Sequence, residues 1–265
     1  MDNLKQDKRS RRRAKGNKFL NILMFIGMIV LIQIPLAISL LALSFSTQLR
    51  NLTTIAVSML ILGIVLLIIW LVRGYYLNHT YEDPHQRIRG KDILINIGFF
   101  LLATAFSIGG SILMLTFTGS DSTANEKNID ESLSVFMQKD HLPHISIAIT
   151  VVLMICVIGP YLEELLFRGI FKETLFMKCR FWLPLILSSL VFSSQHLSTN
   201  IFSYALYFFM GCALYLAYDR RRNIKDSMMV HMLNNSVSTL PVFIGYLWLY
   251  LSLIHISEPT RPERI

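Results

Sequence analysis

Three apolar segments of this sequence carry ionisable or amide side chains that a hydrocarbon environment penalises by roughly 2.5–3.5 kcal/mol each. The first, GPYLEELLFRG, holds Glu163, Glu164 and Arg168. On a helix Glu164 and Arg168 stand at i and i+4 and can pair. Glu163 points about 100° away from Glu164 and stays free for other work. Two carboxylates against one guanidinium leave a formal charge of −1, a setting in which burial or like-charge repulsion raises one carboxyl's pKa and poises it to activate a water. The second segment, FSSQH, places His196 four residues after Phe192, over the same helix face. The third, HMLNN, places His231 and Asn235 at i and i+4. Their donors can converge on one point, as an oxyanion requires; Asn234 lies about 100° away on the helix.

Each cluster taken alone has a plainer explanation. Glu-Glu-Arg can be an interfacial charge patch, a single His near a helix end is commonly structural, and His and Asn bridge membrane helices as interhelical hydrogen-bonding groups. Together, in one order within the 73 residues from Glu163 to Asn235, they ask for a common purpose.

The elements that would position them are membrane spans. Of 265 residues 53% are hydrophobic and 16% charged, and the apolar residues come in blocks. Several blocks are long enough to cross ~30 Å of hydrocarbon at ~1.5 Å per residue. The reading is an all-α polytopic bundle with seven spans: 19–44 (with Pro35 a kink), 52–71, 93–117, 145 through Glu163, 181–196, 201–218 and 226–250. The fourth is expected to continue through FRGIFKETLF as an amphipathic extension. Residues 118–144 are polar and net acidic, a loop with room for a short helix. The domain reading follows: a basic tail (1–18), three accessory spans with loops (19–144), and a core carrying the chemistry (145–250).

Charge sets the orientation. Residues 1–18 hold eight Lys or Arg against two Asp. Beside an apolar span this reads as a cytoplasmic flank drawn to anionic lipid rather than a nucleic-acid-binding arm. With the N-terminus inside, RRRAK, RIRGK, KCR and DRRRNIK all fall on the inner side, while 45–51, 118–144 and 197–200 hold only Arg50, Lys127 and Lys139. The run from Phe19 is too long for a cleaved signal peptide. Cys156, Cys179 and Cys212 lack the close spacing of a metal or redox pair. At the C-terminus, LSLIHISEPTR (Leu251–Arg261) matches an in-frame translation of a transposase sequencing adapter. Residues 251–265 are therefore read as a foreign tail that stands in place of a natural end, with an eighth span among what it replaces.

The three clusters, as EExxxR (Glu163, Glu164, Arg168), FxxxH (Phe192, His196) and HxxxN (His231, Asn235), resemble the CAAX prenyl protease and bacteriocin-processing group, also called Abi or CPBP intramembrane glutamic endopeptidases. The resemblance covers about residues 145–240. It implies hydrolysis of a peptide bond by water activated between Glu163 and His196, with His231 and Asn235 on the oxyanion and Glu164 and Arg168 positioning Glu163. It implies no cofactor, a peptide or membrane-protein substrate, and a bacterial plasma membrane.

Zinc is the chemical rival, because Glu163, His196 and His231 compose a His₂Glu set. No HExxH pair preorganises it, however. Two non-enzymatic readings stand beside hydrolysis: a self-immunity or partner-binding protein, and a transporter, against which the absence of repeated halves speaks. To bring Glu163 and His196 to one depth, the fourth helix must stay in the membrane to about Lys178. Arg168 is then an intramembrane partner of Glu164 and Lys172 snorkels to the interface. A cavity open to the cytoplasm, with cleavage near that face, is expected.

Overall fold

The computed structural model describes residues 17–80, 83, 85–138, 141–176, 179 and 181–257. Among them the protein is a helix bundle with no strand. Its long elements are α1 (Lys18–Phe45), α2 (Asn51–His79), α3 (Gly90–Thr118), the composite α5 (Ile145–Leu175), α7 (Ile201–Asp219) and α8 (Ile224–Ser257). Two shorter helices, α4 (Ala124–Leu133) and α6 (Trp182–Ser194), complete the order. Six helices are long and apolar enough to cross a membrane, and α6 is a shorter apolar one. The seven expected spans are therefore all present as apolar helices, and the 118–144 loop contains its short helix. The basic tail through residue 16 lies outside the described residues, as does 258–265; α8 runs unbroken past Leu251 to Ser257.

Large apolar side chains such as Leu60, Leu66, Trp70, Leu101 and Trp248 face outward on the spans. In a membrane protein that is where lipid supplies the contact. The helix starts are set by local chemistry. Asn17 accepts from the backbone N–H of Phe19. Thr123 and Glu126 form a reciprocal capping box at α4, as Asn200 and Ser203 do at α7, so orphan N–H groups of the first turn are met by side chains. Pro35 lies inside α1, where its missing N–H leaves the i−4 carbonyl of Leu31 without its helical donor.

One end of the bundle gathers the basic loops, and its charges are paired. Arg220 contacts Asp92 at 3.0 Å, and Arg221 contacts Asp92 and Asp226 at 2.9 Å each. Asn96 donates to Asp226 at 2.8 Å. The Asp226 carboxylate, hydrogen-bonded to Arg221, holds that guanidinium's pKa above its ordinary value. The DRRRNIK cluster thus works as a clamp joining α3, the α7–α8 turn and α8.

The α5 helix departs most from the sequence expectation. It alternates α with π turns: Ile145–Leu153 and Gly159–Glu164 are α-helical, Met154–Ile158 and Leu165–Leu175 are π-helical. Its last stretch is not an amphipathic extension, because all of 165–173 is buried. Nor does Lys172 snorkel. It is 2% exposed, pairs with Asp219 at 2.6 Å and sits 5.7 Å from the ring centroids of both Tyr215 and Tyr218. Charge on this face is neutralised within the bundle.

Candidate functional site

Glu164, Arg168 and Lys172, four residues apart, form a column on the buried face of α5. Glu164 and Arg168 are both fully buried, and Arg168 Nε lies 3.2 Å from Glu164 Oε2, the pair expected from their spacing. Arg168 also donates from Nη2 to the Gly211 carbonyl of α7 (3.1 Å), and its Cζ sits 4.7 Å from the centroid of the Phe192 ring. With its guanidinium held on three sides, Arg168 fixes the Glu164 carboxylate.

Glu164 in turn reaches α8 and not its neighbour. His231 donates Nδ1–H to Glu164 Oε1 at 2.9 Å, while its Nε2 stands 3.8 Å from Glu163 Oε2. The sequence expectation had Glu164 and Arg168 positioning Glu163; the direct contact from Glu164 goes to His231, whose Nε2 faces Glu163. The reason is the turn of about 100° between consecutive helical residues: Glu164 points across to α8, and Glu163 points into a cavity.

His196 lies two residues past the end of α6, in the turn before α7. Its Nδ1–H donates to the Phe192 carbonyl (2.9 Å). In the neutral ring that assignment leaves Nε2 as an acceptor. The imidazole stacks on Tyr207 of α7, with centroids 4.2 Å apart and planes at 20°. Tyr207 is itself held by Thr123 at 2.8 Å. Phe192, fully buried, lies between the two histidines, 4.6 Å from the His196 ring and 5.7 Å from the His231 ring. The phenylalanine of FxxxH therefore spaces two imidazoles and covers the guanidinium.

Asn235 follows from the irregularity of α5. In the π turn Gly159 N–H reaches back to the Met154 carbonyl, five residues earlier. The Ile155 carbonyl would need the N–H of residue 160, which is a proline. Asn235 supplies the missing donor, from Nδ2 to Ile155 O at 2.9 Å. A side chain at Gly159 would bring Cβ to 2.9 Å from the Met154 carbonyl oxygen, so any larger residue there would force the turn to shift. One amide hydrogen of Asn235 is committed to α5.

Glu163, His196, His231 and Asn235 line one cavity of about 170 Å³, together with Asn234, Gln195, Tyr207 and Gln33. Four of the residues singled out from sequence are thus brought together from two helices and a turn. Glu164, Arg168 and Phe192 stand behind them. Among the described residues no group of three His, Cys, Asp or Glu is arranged to hold a metal ion. Glu163, His196 and His231 share the cavity without forming such a set.

The cavity's lining includes α4, through Asn125, Glu126 and Asp130, and none of the paired residues of the basic clamp. The α6 helix is short: its thirteen residues make ~20 Å. That is less than the ~30 Å core. Amphipathic α4 packs at the α6–α7 turn, with Asn125 N–H bonded to the Leu197 carbonyl (3.2 Å). On the sequence expectation that the basic loops lie inside, α4 stands at the outer end.

Sequence reasoning missed Gln33, Tyr207 and the place of α4 in the cavity wall. A glutamine within an otherwise apolar span and the Thr-x-x-Glu signature at 123–126 were the available signals. Nothing in the sequence pointed to Tyr207.

Comparison with known proteins agrees with the motifs. Residues 145–237 match the family model described as Type II CAAX prenyl endopeptidase Rce1-like. A protein of Bacillus subtilis (strain 168) carrying the name "Putative membrane peptidase YdiL" is 26% identical over 173 residues. That alignment covers 64% of this chain and 65% of the relative, so the match spans just under two thirds of the relative's length. No solved structure matches the chain. Residues 145–237, which carry the three motifs, are thus similar to the CAAX-protease-type membrane core that those motifs resemble.

Proposed function

We propose that the chain is an intramembrane endopeptidase in which Glu163 and His196 activate a water held in the shared cavity. The observation that carries this reading is the set of groups facing one enclosed space: an acidic side chain, an imidazole with a free Nε2, and a second imidazole held by a buried Glu164–Arg168 pair. Glu163 takes a proton as the water oxygen bonds to the substrate carbonyl carbon. Charge passes to the carbonyl oxygen, and the second amide hydrogen of Asn235 and the Nε2–H of a protonated His231 stabilise it. Protonated, His231 would bring the four-group cluster of Glu163, Glu164, Arg168 and His231 to formal neutrality. Collapse of the tetrahedral intermediate breaks the C–N bond, and Glu163 returns its proton to the leaving amine. No covalent enzyme intermediate and no metal is needed. The protein acts in a bacterial plasma membrane on a peptide or membrane-protein substrate.

The α4 residues in the cavity lining support a cleavage site nearer the end opposite the basic loops. In this reading substrate reaches Glu163 from the end carrying residues 118–144. The test uses the full chain in proteoliposomes with a quenched-fluorescent peptide library. Wild type should cleave, and Glu163→Ala and His196→Ala, checked for insertion, should not. Cleavage that survives Glu163→Ala rejects the mechanism. Cleavage abolished by EDTA and restored by zinc would replace it with the metal version.

A further inference from the structure

Cavity composition limits the substrate more closely than the hydrolytic reading does. Its acidic members are Glu163, Glu126 and Asp130, and among the described residues no lysine or arginine lines it. A free peptide carboxylate entering this space would meet three acidic groups, with the His231 imidazole, already paired to Glu164, left to answer its charge. Burying an anion without a partner carries a large penalty. An internal stretch of peptide brings no such charge, but it brings backbone N–H and C=O groups that must each be met at membrane depth.

The cavity holds what those groups need. Gln33 lies in the middle of α1, half-buried, and lines the same space as Glu163 and Asn234. No group among the described residues hydrogen-bonds its side chain, although a primary amide offers two donors and an acceptor. It stands two residues before Pro35, where α1 lacks one backbone hydrogen bond. Asn234 has only a long contact from Nδ2 to the Met210 sulfur, 3.9 Å. Both residues line the cavity, one from α1 and the other from α8. Each can accept from a peptide N–H and donate to a peptide C=O. Glu126 keeps its capping bond to Thr123 and contributes field rather than a contact.

Resting on the endopeptidase reading, we propose that the substrate is an internal, extended peptide segment, uncharged or basic around the cleaved bond, whose backbone is held by Gln33 and Asn234, and that the cavity rejects a free C-terminal carboxylate. Gln33, on a helix outside the family-matched core, is then a substrate-binding residue.

The test pairs peptides of one sequence with a free or an amidated C-terminus, the cleaved bond lying either central or three residues from that end. Gln33→Met keeps side-chain volume and should raise KM by about 3- to 10-fold, the worth of one or two neutral hydrogen bonds, with little change in kcat. The free-carboxylate peptide cut near its end should be the poorest substrate, and Asp130→Asn should improve it selectively. A KM unmoved by Gln33→Met, or a requirement for the free carboxylate, overturns the proposal while leaving hydrolysis intact. Binding of the amidated peptides to the non-cleaving Glu163→Gln protein, read by fluorescence anisotropy, gives a turnover-independent arm. There Gln33→Met should weaken binding by a similar factor, and an unchanged Kd overturns the proposal even where no peptide is cleaved.

Discussion

Replacing Glu164 by methionine, which keeps the volume and removes the charge, tests how the site is built. Arg168 is fully buried, and it would retain only the Gly211 carbonyl and the face of Phe192. His231 would lose the acceptor on Nδ1 at 2.9 Å. An uncompensated charge left by deleting one partner of a buried pair destabilises by about 3–5 kcal/mol. Arg168→Met should destabilise similarly, since it leaves the Glu164 carboxylate with only His231 and Ser227. Replacing both removes the stranded charge, and an apolar pair of similar volume is commonly neutral or stabilising. The double variant should therefore be more stable than either single one, with a coupling energy on the order of 3 kcal/mol or more between two groups 3.2 Å apart. Equilibrium unfolding of the full chain in mild detergent measures the cycle, and cleavage of the peptide library measures function beside it. Stability should return in the double variant and cleavage should not, because His231 still lacks the carboxylate that orients it. Additive destabilisation, or a Glu164→Met protein as stable as wild type, would refute the view that the pair is an isolated buried unit holding His231.

Further outcomes follow from single contacts. Asn235→Ala should lower kcat by ~10²–10³, the usual loss for one oxyanion donor, in the same peptide assay. Gly159→Ala places Cβ against the Met154 carbonyl, so the π turn must shift; lower thermal stability and weaker cleavage together are expected, and a neutral result would show that the turn can relax. Tyr207→Phe breaks the bond to Thr123 but keeps the stack on His196; KM should rise more than kcat falls, whereas Tyr207→Ala should depress kcat. With Cys156, Cys179 and Cys212 replaced by alanine, Ser238→Cys in the cavity should react with a membrane-impermeant maleimide from the side bearing residues 118–144. Labelling only from the basic side would reverse the proposed access.

What could be read from the sequence, and what could not, divides along one physical line. Apolar length located the spans, and i, i+4 spacing paired Glu164 with Arg168, because both depend on the geometry of a single helix. Partners across helices depend on local register, and α5 breaks the uniform register twice through π turns that no spacing argument predicts. The first of these turns leaves the Ile155 carbonyl for Asn235, which diverts one of that residue's donors. The buried Asp92–Arg220–Arg221–Asp226 clamp shows the same limit. Its arginines were legible as an inner-face signal but not as partners of carboxylates on α3 and α8. Helix length, used to count spans, was not used to compare their ends. A thirteen-residue α6 between longer neighbours leaves a hollow that some other polar segment has to fill, and the capping-box helix from 124 to 133 is the segment that reaches it. Shortness at one helix thus places His196 in the turn beside Tyr207 and brings α4 into the wall of the cavity.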